Sequence, residues 1–273
     1  MTLLDGPLLD GPLLDGKVAL VSGIGPGMGR DIALLFAEHG ADVVLGARTE
    51  ANVASVVEEV EAAGRRAVGV TLDITDVDSC TAAVERSTSE FGRIDILVNN
   101  AFEDGDHKKF ERADIDHRWR QTMDTNFFGT LHLTQAVVPV MKEQGDGRIV
   151  MVNSMSSVYA QERQGAYAAS KAALAAVTKT LALELGGYGI RVNAVHPGYI
   201  WSEKVEMYLR FLADLEGITY EEKKAAIEAE TCLGYLPHSS EIAGSVLFFA
   251  CDLSKPVTGQ ALGVNAGHWF QGF

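Results

Sequence analysis

The stretch "NSMSSVYAQERQGAYAASK", residues 153–171, gathers the hydroxyls of Ser154, Ser156 and Ser157, the phenols of Tyr159 and Tyr167, and a terminal Lys171. A free phenol ionises near pH 10 (about 10), so it exchanges protons near neutrality only where a neighbour stabilises its anion. Tyr167 and Lys171 are four residues apart, a spacing that on a helix puts ammonium and phenol on one face. Tyr159 has no lysine four residues later. The pair therefore suits general acid/base work on a substrate oxygen. The residue types alone do not choose among the three serines.

A second group stands in "SGIGPGMGR", where Gly23, Gly27 and Gly29, with Met28 between the last two, are spaced G-x-x-x-G-x-G ahead of a helix. Glycines allow a tight turn and close approach to a pyrophosphate, and the helix N-terminus offers free N–H groups and the positive end of its dipole. The end of the second expected strand then bears on the nucleotide. An NAD site usually has a carboxylate there, whereas this chain has Ala47 and Arg48. A guanidinium pairs with a ribose phosphate, which favours NADP(H) and leaves NAD open. Arg48 as a solvated surface residue is the alternative, and Glu50 close by works against the pairing. Asp73 suits either the adenine amino group or the cap of the following turn.

These residues need elements to hold them. Apolar, β-branched runs at 17–23, 41–47, 66–73, 93–101, 147–154, 190–197 and 260–267 alternate with amphipathic stretches of helical period. That pattern predicts an α/β fold, a doubly wound parallel seven-stranded sheet of the Rossmann type with helices on both faces. Residues 198–240 break the rhythm and read as two amphipathic helices forming a lid after strand six. The opening "MTLLDGPLLDGPLLDG" repeats Leu-Leu-Asp-Gly and predicts a flexible tail over 1–13, with only the last copy docked onto a single domain over 14–273.

Composition narrows the classes. The 273 residues are 47% apolar, as in an ordinary globular core, and carry a net charge of −14, which opposes a nucleic-acid partner. Cys80, Cys232 and Cys251 form neither a disulfide framework nor a metal cluster with histidine, so no metal is expected. No apolar run is long enough for a membrane span, and acidic residues stand where a signal peptide needs basic ones; a cytoplasmic protein is expected.

Taken together, the chain from Leu14 onward resembles a short-chain dehydrogenase/reductase of the single-domain branch. The resemblance rests on "SGIGPGMG", "NNA" at 99–101, Asn126 in "DTNFFG", Ser154, Tyr167 with Lys171, and "HPGYIWS" at 196–202. It implies an NAD(P)-dependent oxidoreductase moving hydride between a nicotinamide and a secondary alcohol or ketone. The family's serine lies thirteen residues before its tyrosine, which singles out Ser154 as the group that orients the substrate oxygen. Lys171 is then expected to depress the Tyr167 pKa and hold the cofactor ribose, with Asn126 keeping a relay water behind it; a structural asparagine is the alternative. The resemblance also implies cofactor contacts at Asn100, Pro197, Gly198, Ile200 and Ser202.

Phe102 stands where the family usually has glycine, and with Tyr159 and Trp201 it is expected to border a hydrophobic substrate. A ketoacyl reductase serving an acyl carrier protein and a cofactor-sensing binding protein are the rival readings. The alanine- and leucine-rich run at 167–186 wants burial on both sides, which fits a homotetramer, with a dimer as the alternative.

Overall fold

The structure is a computed structural model and describes residues 11–270. Seven strands form one sheet: β1 (Val18–Ser22), then helix α1 (Met28–Glu38), β2 (Asp42–Ala47), α2 (Glu50–Ala62), β3 (Ala67–Thr71), α3 (Val77–Phe91) and β4 (Ile96–Asn99). The chain continues through α4 (Arg120–Met123), α5 (Thr130–Gln144), β5 (Gly147–Val152), α6 (Gly165–Leu185), β6 (Ile190–Pro197), α7 (Glu203–Glu216), α8 (Tyr220–Ala229), α9 (Ser239–Ala250) and β7 (Ala261–Val264). The order is β3-β2-β1-β4-β5-β6-β7, every pair parallel.

Alternation along the buried strands feeds two cores. Ala19, Val21, Val150 and Val152 face the layer of α1 and α9 around Ile32, Phe36 and Val246. Val18, Leu20, Ile149 and Met151 face the opposite layer around Leu133, Val137 and Leu174. A sheet covered on both sides needs apolar residues at successive positions, which is why its strands are continuous apolar runs. In the last Leu-Leu-Asp-Gly copy, Leu14 is buried in the first core and its N–H donates to His39 O at 2.8 Å. The two earlier copies, apart from Gly11, lie outside the described residues.

The helical stretch ahead of β5 is interrupted. π-helical turns at Ile115–Trp119 and Asp124–Gly129 flank the short α4, and the second of them carries Asn126. Such turns re-aim a side chain without ending the helix. After β6, α7 and α8 pack on each other through Leu209, Ile227 and Leu236. Ser202 caps α7, its Oγ accepting from Val205 N–H at 3.3 Å, and a Thr219–Glu222 capping box starts α8.

Candidate active site

The strand order reverses between β1 and β4, and the carboxyl ends of the strands open there onto a cleft of about 1200 Å³. Both motif groups line it: Gly23, Gly27, Met28 and Gly29 at one end, Ser154 and Tyr167 in the middle. This is the crevice in which open α/β sheets bind ligands.

Gly27 precedes α1 with φ of 129°, a conformation strained for L side chains, and nothing lies within 4 Å of where its Cβ would be. The first turn of α1 has no side-chain cap, so its N–H groups remain available to an anion at the cleft. Gly29 is required for a different reason: a Cβ there would stand 2.5 Å from Gly23 O. The loop is tied down by Asn100, whose Nδ2 donates to Gly23 O at 2.9 Å. This open, cradle-shaped end fits a dinucleotide pyrophosphate. Arg48 and Asp73 also line the cleft. Burial pushes the Asp73 carboxyl up, but hydrogen bonds from the Thr75 hydroxyl and N–H, at 2.7 and 2.9 Å, and the charge of Arg48 leave it below the usual range. Asp73 thus caps its own turn while facing the cleft.

The three serines part company here. Ser154 follows β5, accepts from Ser156 N–H at 3.1 Å, and lines the cleft with Tyr167, whose phenolate its hydroxyl favours. The Ser156 hydroxyl instead donates to Gln161 at 3.1 Å and that of Ser157 to Ser154 O at 2.8 Å. Lys171 is buried one helical turn beyond Tyr167, its Nζ 5.7 Å from the phenol ring centre and donating to Val152 O at 2.8 Å. Burial dominates both titrations. It pushes the Tyr167 phenol up to about 12, the Ser154 hydrogen bond pulling the other way, and it lowers Lys171 to about 7. The expected depression of the phenol by Lys171 does not appear in the protein by itself, because an ammonium lowered this far is only partly charged at neutrality.

Asn126 is fully buried, but its amide bonds go elsewhere than Lys171. Nδ2 donates to Glu103 O at 2.8 Å and Ser170 Oγ at 2.9 Å, and Oδ1 accepts from Glu103 N–H at 2.7 Å. The side chain straps the segment after β4 to α6.

Of the cofactor contacts implied after β6, Gly198, Ile200 and Ser202 line the cleft. Gly198 follows Pro197, which ends β6 in register with Val264. The expected aromatic contacts divide. Phe102 lines the cleft, edge-on to Tyr167 at 6.4 Å between ring centres. Trp201 does not line it; the indole packs against the cluster between α7 and α8 with Lys224 Nζ 4.8 Å above its ring. Tyr159 is likewise turned away, against His268 at 5.6 Å. Tyr199 takes their place, its hydroxyl accepting from Gln161 Nε2 at 2.9 Å. It lies inside the quoted "HPGYIWS" motif two residues from Trp201, and strand alternation, which sets the two on one side, gave no signal to tell them apart.

A family model described as short chain dehydrogenase matches residues 17–209. The chain is 37% identical over 251 residues to the 3-oxoacyl-[acyl-carrier-protein] reductase FabG of Thermotoga maritima, covering 92% of this chain and 97% of that protein. It is 35% identical over 259 residues to the trans-4-hydroxycyclohexanecarboxylate dehydrogenase of Sinomonas cyclohexanicum, covering 92% of each. Among solved structures it superposes on carveol dehydrogenase from Mycobacterium avium in complex with NAD with a TM-score of 0.88 and 30% identity, over 94% of this chain and 99% of that one. The glycine-lined crevice, the serine–tyrosine–lysine centre and these likenesses agree, and the chain belongs to the short-chain dehydrogenase family as an oxidoreductase of alcohol and ketone groups that uses a nicotinamide cofactor.

Proposed function

We propose that Tyr167 is the general acid/base and Ser154 the group that orients the substrate oxygen. The observation that carries this is that Ser154 and Tyr167 line the cleft together, with Lys171 one turn behind the phenol. A bound nicotinamide supplies or accepts the hydride. Tyr167 gives its proton to the forming alkoxide in reduction and takes it back in oxidation, and Ser154 donates to the same oxygen. Lys171, which donates to Val152 O, sits behind the phenol and would hold the cofactor ribose when a nicotinamide is bound. Gly23, Gly27, Met28 and Gly29 take the pyrophosphate, and Asn100 fixes their loop. Asp73 lies at the adenine end. Pro197, Gly198, Ile200 and Ser202 border the nicotinamide.

NADP(H) is the favoured cofactor. Arg48 is exposed at the cleft edge, and no carboxylate stands at the end of β2 to repel a ribose phosphate. The substrate side is largely apolar, with Phe102, Tyr199, Met207 and Phe211 on it, so the substrate carries a hydrophobic ring or chain. Likeness to the 3-oxoacyl reductase supports a ketoacyl substrate as the second reading; the net charge of −14 opposes docking of an acidic carrier. Free Cys80, Cys232 and Cys251 suit a reducing, cytoplasmic setting.

Fluorescence titration with NADPH and NADH, on wild type and Tyr167→Phe, tests these roles. NADPH is expected to bind more tightly to both proteins, and the variant to lose turnover by about 10²–10⁴-fold, the usual range for acid/base catalysis. Comparable turnover by Tyr167→Phe would sink the assignment of the acid/base, and NADH preference would make Arg48 a bystander.

A further inference from the structure

The carboxylates that face the cleft are already engaged. Asp73 accepts from Thr75, Asp106 accepts from the N–H groups of Lys108 and Asp114 at 3.5 and 3.2 Å, and Asp104 Oδ2 lies 3.7 Å from His107 Nε2. Arg163 differs from them. It is half-buried on the cleft wall, and its guanidinium makes no hydrogen bond or ion pair with another described residue.

Its chain neighbours are held on either side. Glu162 is mostly exposed and pairs with Lys109 at 3.2 Å, while Gln164 Nε2 stands 3.4 Å from His107 Nδ1. Between them Arg163 adopts φ of 66°, the left-handed region that non-glycine residues seldom occupy. His107, also left-handed at φ of 49°, packs on Tyr208 of α7 with 5.3 Å between ring centres. Arg163 therefore belongs to the end of the cleft covered by the lid, opposite the glycine loop, and precedes Tyr167 by four residues.

A guanidinium drawn partly out of water without a partner is costly, and its planar fork matches a carboxylate with two parallel hydrogen bonds. Phe102, Met207 and Phe211 line the same cleft and add no acceptor to it. We propose that Arg163 binds a carboxylate of the substrate, so that the site takes a hydroxy or oxo acid whose acid group is set apart from the reacting carbon by an apolar ring or short chain. This rests on the reading that Tyr167 marks the reacting oxygen. The long-range repulsion of a protein at −14 does not oppose it, since surface charges beyond about 8 Å are screened at physiological salt.

The test is a binding measurement on protein saturated with reduced cofactor, read by nicotinamide fluorescence, with cyclohexanecarboxylate and its uncharged methyl ester as probes. Wild type is expected to bind the acid at least about tenfold more tightly than the ester. Arg163→Gln is expected to weaken acid binding by about 10- to 100-fold, the usual cost of losing charge-assisted hydrogen bonds, and to leave ester and cofactor binding within about twofold. Arg163→Lys should recover part of the loss, because it restores the charge without the fork. Equal affinity for acid and ester, no binding of either probe by the cofactor complex, or an equal loss for both probes in Arg163→Gln would overturn the proposal and leave the Tyr167 centre standing. Failure of wild type to bind either nicotinamide would instead bring down the catalytic reading and this one with it.

Discussion

Burial drives the two titrations at the centre of the cleft apart, and this has consequences for stability as well as catalysis. The phenol at about 12 remains protonated through neutral pH and so is ready to act as an acid on a ketone. Lys171, lowered from 10.5 to about 7, acts on stability with a definite sign. Between those two values the unfolded chain holds a proton that the folded one lacks, so this site's contribution to stability rises with pH. Below the folded value its full penalty is present. Lys171→Met removes it, and the variant's Tm relative to wild type is therefore expected to be most favourable at pH 6 and to lose roughly 5 °C or more of that advantage by pH 9. A Tm difference that does not move with pH would mean that Lys171 keeps its charge in the folded protein. Asn126 shows the same dependence on surroundings: its type allowed a relay or a strut, and the Glu103 backbone and Ser170 hydroxyl take its side-chain bonds.

At the scale of elements, the junction of β1 and α1 leaves no room for a methyl group at Gly23 or Gly29. In Gly29→Ala the new Cβ would meet Gly23 O at 2.5 Å and Asn100 Nδ2 at 3.0 Å, so the loop must move off the sheet edge. Cofactor affinity measured by fluorescence is expected to fall by more than about tenfold, with a lower Tm, as overpacking costs typically 1–3 kcal/mol. Gly244 in α9 is the contrast: nothing lies within 4 Å of its would-be Cβ, and Gly244→Ala should hold or raise Tm by removing a flexible residue from a helix. The lid was legible as two amphipathic helices, but its facing was not. Trp201 and Tyr199 are two residues apart and both aromatic, both pack against the cluster of Leu209, Ile227 and Leu236, and only Tyr199 also reaches the cleft wall.

For the whole molecule, α6 carries Leu183 at 85% exposure, and Phe128, on the π-helical turn that packs against α6, is 47% exposed. Apolar side chains so placed suit a subunit contact and support the homotetramer reading. Light scattering on Leu183→Glu is expected to show a lower mass than wild type with the far-UV spectrum unchanged, while a wild-type protein that is already monomeric would remove that reading. The sequence by itself determined the sheet, because strands buried on both faces must be apolar at successive positions, and it determined the glycine loop and the Tyr167–Lys171 pair, because both are local spacings. It reached the choice of Ser154 only through resemblance to a family. Tertiary structure alone decided which aromatic residues face the cleft, where the amide of Asn126 is spent, and how far burial shifts Lys171 and Tyr167. Each of those depends on segments distant along the chain meeting at one sheet edge, and no periodicity or spacing within a single segment encodes that meeting.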